Sequence, residues 1–132
     1  MYALDTNTVL DYFKRKGGVG AKLLAVPPGE VALPAVAAYE VWVGVLGSQN
    51  APRRQAEYEQ FLSVVEVLPF DAAAGRRAAE LRVALERNGE AIGPMDTLIA
   101  ATALAHGATL VTRNVREFGR VPGLTVVNWH DG

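Results

Sequence analysis

Three acidic residues stand where a carboxylate can do chemistry as well as face water. Asp5 ends a short apolar run and precedes Thr-Asn, and Asp96 lies in the first turn of a predicted helix. Glu40 sits inside a segment that is apolar almost all round, where an unpaired carboxylate is costly to desolvate. Each acid also has a structural interpretation: helix capping for Asp5 and Asp96, and an arginine partner or a narrow exposed strip for Glu40.

Taken together, the three acids favour a divalent metal site, because clustered carboxylates repel one another and a cation relieves that repulsion. The chain has no cysteine and only two histidines. This excludes a thiolate zinc site, an iron–sulfur cluster and a cysteine nucleophile, and it argues against a multi-histidine zinc site. Hard oxygen ligands indicate Mg²⁺, with Mn²⁺ as the alternative. The natural chemistry of such a site is phosphoryl transfer to water.

Strands alternate with helices along the chain, and this pattern predicts how the acids are positioned. Predicted strands cover residues 2–5, 30–33, 64–68, 108–112 and 124–129. A first helix is predicted after a Thr6-Asn7-Thr8 cap, and further helices at 19–26, 34–46, 53–63, 72–88 and 95–106, with Pro34 as the first residue of its helix. The chain is therefore expected to be α/β, an α/β/α sandwich with a mainly parallel sheet, in a single domain over 1–132. In such sheets, functional residues lie beyond the carboxyl ends of the strands.

Composition limits the possible partners and surroundings of the chain. Its 132 residues carry 13 basic and 14 acidic side chains, a formal net charge of −1. Any nucleic-acid binding must then come from a local basic patch. No apolar run reaches the roughly 18 residues needed to span a bilayer, and the N-terminus lacks the form of a signal peptide. We expect a soluble protein of the cytoplasm.

Four motifs in order resemble those of PIN-domain nucleases, and most closely those of VapC-type toxins of toxin–antitoxin pairs. Tyr-Ala-Leu-Asp-Thr-Asn resembles the first, and the segment around Glu40 resembles the second. Gly-Pro-Met-Asp-Thr-Leu-Ile-Ala-Ala and Leu-Val-Thr-Arg-Asn-Val-Arg-Glu-Phe resemble the third and fourth, and the final Gly-Leu-Thr-Val-Val-Asn-Trp is also similar. These segments cover residues 2–7, 34–44, 93–101, 110–118 and 123–129.

The resemblance implies a PIN-like fold with sheet order 3-2-1-4-5 and a Mg²⁺-dependent endoribonuclease, the toxin of a type II toxin–antitoxin system. It also implies a homodimer, neutralised by a VapB-type antitoxin, with cleavage that leaves a 5′-phosphate. Asp5 and Asp96 are then expected to hold the metal, while Glu40 completes the pocket and orients or deprotonates the attacking water. Thr6 and Thr112 are expected to fix the carboxylates and the phosphate by hydrogen bonds.

One position departs from the family pattern. Many PIN domains carry a fourth acid in the last motif, where this chain has Asn114, with Glu117 three residues on. Asn114 is expected to hold a metal-bound water, although an amide supplies no negative charge. Basic residues near these motifs are candidates for positioning the RNA backbone, with a solvated basic rim as the alternative: Lys14, Arg15, Arg113 and Arg116.

Other functions fit the sequence less well. A haloacid-dehalogenase-type phosphatase needs a second aspartate where this chain has Asn7, and a response-regulator receiver needs a lysine near the last strand, whereas the last lysine here is Lys22. A non-catalytic PIN-like module that binds RNA or protein remains the alternative to the nuclease.

Four aromatic residues on the helices at 34–46 and 53–63 predict a homodimer interface or an antitoxin groove, or else simple core packing: Tyr39, Trp42, Tyr58 and Phe61.

Overall fold

The computed structural model of the protein describes residues 1–131 and contains a five-stranded parallel sheet. Its strands are β1 (Tyr2–Leu4), β2 (Val31–Pro34), β3 (Glu66–Leu68), β4 (Thr109–Val111) and β5 (Val126–Val127). They lie in the order β3-β2-β1-β4-β5, and each neighbouring pair is parallel. The predicted α/β class and strand order are confirmed.

Seven α-helices connect and flank these strands. They are α1 (Thr6–Phe13), α2 (Val19–Leu24), α3 (Ala35–Leu46), α4 (Ala51–Leu62), α5 (Ala72–Arg87), α6 (Pro94–Ala105) and α7 (Val115–Phe118), and a 3₁₀ turn covers Pro28–Glu30. All four residues of β2 are buried. Because successive side chains of a strand point to opposite faces, helices must cover both faces of the sheet there.

Several predicted boundaries are wrong by a few residues. Pro34 is the last residue of β2 and not the first of α3, because its ψ of 139° continues the strand before the chain turns into the helix. Asp5, and not Thr6-Asn7-Thr8, is the N-cap of α1. The short helix α7 was not predicted, and β5 is confined to two residues.

The core lies between the sheet and the apolar stripes of the helices. The predicted stripe of α5 is confirmed, with Ala74, Ala78, Leu81 and Leu85 buried. Of the four aromatic residues on α3 and α4, Tyr58 and Phe61 belong to the core and Trp42 packs against it partly buried, whereas Tyr39 is 56% exposed. None of the described helices combines the length and apolarity that a bilayer crossing requires.

Candidate active site

Asp5 occupies the point where β1 gives way to α1. Its carboxylate Oδ1 accepts a hydrogen bond of 2.8 Å from the Thr8 backbone N–H, so it caps the helix. Its own backbone N–H donates to the Val111 carbonyl of β4, at 3.1 Å. These bonds hold the side chain at the carboxyl edge of two adjacent strands, where only 5% of the residue is exposed. Capping and a place in the candidate site are therefore compatible, because the cap uses one carboxylate oxygen.

Glu40 reaches the same edge from α3. Its described partner is a hydroxyl group and not an arginine: Thr6 Oγ1 donates to Glu40 Oε1 at 2.7 Å. Thr6 is the first residue of α1 and directly follows Asp5. The hydrogen bond thus joins the helix that carries Glu40 to the turn that carries Asp5, and it leaves Glu40 Oε2 for other ligands.

Asp96 is the acid whose pKa the surroundings raise strongly. Burial, followed by the charge and hydrogen bonding of the neighbouring Glu117, raises the pKa of Asp96 from 3.8 to about 7. The charges of Asp5 and Glu40 raise this pKa further. The carboxylates of Asp5, Glu40 and Glu117 therefore all lie within electrostatic reach of Asp96, although they belong to elements that are far apart in the sequence.

Glu117 supplies the fourth acid of this group, which we define as the acid site: Asp5, Glu40, Asp96 and Glu117. Its Oε1 accepts from the Gly93 N–H at 3.1 Å, and its Oε2 accepts from the Asn114 side-chain amide. Burial raises the pKa of Glu117, but these hydrogen bonds, one from Asp96 and the charge of Arg120 outweigh burial and lower it.

Asn114 therefore acts on the site through Glu117. It is the N-cap residue of α7, and the helix brings its amide alongside the Glu117 carboxylate three residues later. Sequence reasoning centred the fourth motif on Asn114 and noted Glu117 only as a neighbour. Two features of the sequence could have predicted a short helix here: the preference of asparagine for N-cap positions, and the spacing of three residues between Asn114 and Glu117.

The other predicted site residues have different positions. Thr112 is fully buried, and its Oγ1 accepts from the Asn114 N–H at 3.0 Å, so its described contact is with the backbone and not with a carboxylate. Arg113 follows at the same edge, and Arg116 is exposed on α7. Lys14 and Arg15 lie beyond the opposite end of α1, so α1 separates them from Asp5.

The acid site has the chemistry of a divalent-metal site but not a closed coordination shell. Within residues 1–131, no three Asp, Glu, His or Cys side chains stand close enough to form a ready-made metal site. The raised pKa of Asp96 reflects its burial, followed by the negative charge of Glu117, Asp5 and Glu40. Because Mg²⁺ uses one or two carboxylates and keeps several waters, these oxygen donors fit such an ion held partly through water.

A separate groove runs between α1–α2 and α4. It has a volume of about 750 Å³, with Tyr12, Phe13 and Phe61 among its aromatic lining. Three arginines also line it, Arg15, Arg53 and Arg54, and none of the four residues of the acid site does. The groove is therefore an aromatic and basic surface distinct from the acid site.

Comparison with known proteins connects this geometry to a family. Residues 2–124 match the PIN domain family. The chain is 39% identical over 132 residues to Ribonuclease VapC2 of Rickettsia felis, covering 98% of both chains. It is 35% identical over 128 residues to the tRNA(fMet)-specific endonuclease VapC of Shigella flexneri, covering 97% of both.

Solved structures agree with these sequence relationships. The chain superimposes on one in the crystal structure of VapBC2 from Rickettsia felis bound to a promoter DNA fragment, with a TM-score of 0.89 and 35% identity, over 97% of this chain and 98% of that one. For DNA-bound VapBC from Salmonella typhimurium, the TM-score is 0.90 at 31% identity, over 97% of each chain. The order of the strands, the four acids at their carboxyl edge and these matches establish that the chain belongs to the PIN-domain family, among the VapC-type ribonucleases.

Proposed function

We propose that this protein is a Mg²⁺-dependent endoribonuclease that hydrolyses RNA phosphodiester bonds, and that it is the toxin of a type II toxin–antitoxin pair acting in the cytoplasm. The observation that carries the proposal is the acid site, in which burial and the carboxylates of Glu117, Asp5 and Glu40 raise the pKa of Asp96 to about 7. Excess negative charge at one edge of the sheet has to be balanced by a cation, and a hard divalent ion is the one that oxygen donors prefer.

The residues of the acid site divide into ligands and supports. Asp5 and Asp96 are the proposed direct or water-mediated ligands, because each reaches the edge of the sheet with an oxygen that capping does not use. A bound Mg²⁺ supplies Lewis-acid activation of water and neutralises the phosphate charge. The proposed role of Glu40, whose Oε1 accepts from Thr6 at 2.7 Å, is to orient the attacking water and take its proton. Both oxygens of Glu117 are engaged, so its role is to maintain the negative field beside Asp96.

RNA binding then depends on cations at the edge of the site. Arg113 and Arg116 belong to the loop and helix that carry Asn114 and Glu117, so we propose that they contact the RNA backbone near the scissile phosphate. Lys14 and Arg15 lie beyond the far end of α1. Only an RNA that extends from the acid site past this helix would reach them.

Two surfaces are proposed for protein partners. The exposed stripe of α3, formed by Tyr39, Val43 and Leu46 at 56%, 57% and 60% exposure, is suited to a symmetric homodimer contact. The groove lined by Arg15, Arg53 and Arg54 combines positive charge with aromatic rings, which suits an acidic, amphipathic segment of a VapB-type antitoxin. The relatives with similar folds were crystallised as VapBC complexes.

The test of the proposed activity is cleavage of defined RNAs by the purified chain, with Mg²⁺ or with a chelator. Initiator tRNA belongs in the panel, next to an elongator tRNA, because the Shigella flexneri relative is named a tRNA(fMet)-specific endonuclease. We expect cleavage only with Mg²⁺ or Mn²⁺ and products with 5′-phosphates, and the D5N variant serves as the inactive control. Binding of RNA without cleavage under any metal condition would instead identify a non-catalytic binding module.

A further inference from the structure

A second charged cluster lies beside the acid site, and Arg113 is its one member with a role in the proposed function. We define it as the Asp11 cluster: Asp11 of α1, Arg113 of the β4–α7 loop, and His130 of the C-terminal tail. Asp11 and His130 have side chains only 7% exposed, whereas the side chain of Arg113 is 55% exposed. A buried carboxylate is thus joined to a cation that stands largely in solvent.

The contacts centre on a single oxygen atom. Asp11 Oδ2 lies 3.2 Å from Arg113 Nη1 and 3.1 Å from His130 Nδ1. Neither approach has the direction of a good hydrogen bond, because this oxygen has no partner that meets hydrogen-bond geometry within residues 1–131. The oxygen therefore attracts Arg113 by charge and lies against the His130 ring, without a directional hydrogen bond to either group.

The histidine side of the cluster is anchored independently of Arg113. His130 Nε2 lies 3.3 Å from Thr8 Oγ1, which in turn bonds the Val111 carbonyl at 3.0 Å. The His130 carbonyl accepts from the Gly18 N–H at 3.1 Å. One side of the Asp11 carboxylate thus packs against an imidazole that is held in place. The ion pair of this carboxylate is with Arg113.

Arg113 has donors to spare for a ligand. A guanidinium carries five N–H donors, and the described contact uses one nitrogen. The residue directly follows Thr112 at the carboxyl end of β4 and directly precedes Asn114, whose amide bonds Glu117 of the acid site. A phosphate placed beside the acid site is therefore close to the free side of this guanidinium.

We propose that Asp11 is a positioning residue that holds the Arg113 guanidinium at the edge of the acid site, so that it binds a phosphate of the RNA backbone flanking the reacting one. The inference rests on the proposed ribonuclease function and assigns a role to a residue outside the four acids. Arg113 has a long, flexible side chain, and fixing it in advance lowers the entropy lost when RNA binds. Asp11 acts only through Arg113 and touches no reacting atom.

The test is a double-mutant cycle on steady-state cleavage of one short RNA, with Asp11→Asn, Arg113→Met and both together. Loss of one phosphate contact is expected to raise KM about 10-fold for R113M, with kcat within about threefold. D11N is expected to raise KM about threefold alone and to have no further effect in the R113M background, because coupled residues are not additive. R113M should also lower the slope of log affinity against log salt by about 0.7, as expected for one lost phosphate contact on single-stranded RNA.

Arg116→Met is the matched control, because Arg116 is an exposed arginine of the same segment with no described ion pair to Asp11. The effects of R116M and D11N on KM should be additive.

His130→Gln removes the other neighbour of Asp11 and is expected to change KM less than twofold. A merely structural role for Asp11 predicts instead that D11N and H130Q act alike, mainly on thermal stability. Should D11N not fold, Asp11→Glu keeps the charge and is expected to hold KM within twofold of the wild type.

The outcomes separate this inference from the proposed function. RNA binding is measured in parallel by fluorescence anisotropy in the inactive D96N background, where R113M and D11N should show the same coupling. If the wild-type chain cleaves no RNA with any metal, the proposed function fails. If it cleaves but D11N and R113M are additive, or R113M leaves both KM and the salt slope unchanged, the positioning role of Asp11 is overturned.

Discussion

Two buried aspartates, the N-cap Asp5 and Asp11 within the helix, lie along α1 in different electrostatic surroundings. Asp5 and Asp11 are each 5% exposed. Asp5 adds to the negative charge around Asp96, whereas Asp11 faces one arginine and one histidine. The helix therefore joins a site with surplus negative charge to a buried carboxylate that faces an arginine.

The difference indicates what each region requires from outside the chain. A buried carboxylate that is not paired within the protein is stabilised by a metal ion or a proton, which is why Asp96 takes up a proton near pH 7. A carboxylate that already faces an arginine needs no further cation, and the unused N–H donors of that arginine are available to an anion. A nuclease site needs both: a cation for the reacting phosphate and an anion-binding edge for the backbone beside it.

The largest expected effect comes from removing charge at Asp5. Asp5→Asn keeps the helix cap, because asparagine caps as well as aspartate, but it should lower cleavage by about 1000-fold, the scale seen when a principal electrostatic group is removed from an active site. Asp96→Asn should behave similarly. Cleavage rates and circular dichroism measure activity and fold separately.

Asp71→Asn is the matched control for D5N. Asp71 caps α5 through a 3.0 Å bond from the Ala74 N–H, as Asp5 caps α1, but it lies outside the acid site. The control should retain cleavage. Equal losses of activity in both variants would mean that capping, and not the charge at Asp5, accounts for the effect.

The next effect concerns the tail that supports the Asp11 cluster. Gly17 has a φ of +65°, and a Cβ there would lie 2.9 Å from the His130 carbonyl oxygen. Gly17→Ala should lower the free energy of unfolding by about 2 kcal/mol, measured by urea denaturation. Gly89→Ala has the same φ, +66°, with open space around it, and should cost only about 1 kcal/mol. Equal costs would show that the tail contact contributes nothing.

A smaller effect is expected from the bond between Thr6 and Glu40. Thr6→Val removes the 2.7 Å hydrogen bond while keeping the shape of the side chain, and it should lower kcat about 10-fold, as loss of a supporting hydrogen bond commonly does. Thr6→Ser keeps the hydroxyl and should stay within about threefold of the wild type. A larger loss in T6S than in T6V would contradict the role assigned to the hydroxyl.

The smallest effect is a pH-dependent gain in stability. Because the pKa of Asp96 is raised from 3.8 to about 7, the metal-free folded protein binds an extra proton between these values and loses stability as pH rises through that range. Asp96→Asn removes this penalty. With the half-exposed position of Asp96 discounted for solvent screening, we expect D96N to be more stable by about 1 kcal/mol at pH 8, with little difference at pH 3.

Thermal unfolding in the presence of a chelator measures this gain at both pH values. Glu80→Gln is the comparison, because Glu80 pairs with Arg76 on the exposed side of α5 and should shift stability by less than about 0.5 kcal/mol at either pH. A stability gain in D96N that does not depend on pH would point to packing and not to charge.

Much of the fold was accessible from local patterns. Apolar runs between turn residues identified all five strands, and the periodicity of Ala74, Ala78, Leu81 and Leu85 identified the buried face of α5. The errors lie at boundaries and in short elements. Pro34 has a φ of −57°, which suits a helix start and a strand end equally, and only its ψ decides between them. The four residues of α7 are too few for a periodic pattern.

The sequence by itself determined the three acids Asp5, Glu40 and Asp96, because each stands out locally: one ends an apolar strand, one interrupts an apolar helix, and one opens a helix. The charges of Asp5 and Glu40 both contribute to the raised pKa of Asp96. Only the tertiary structure decided their partners. The parallel order of β1 and β4 brings Asp11 to Arg113, and the packing of α6 near α7 brings Asp96 to Glu117. These pairs join residues far apart in the chain, and no local propensity encodes a contact that exists only once the crossovers have placed the strands side by side.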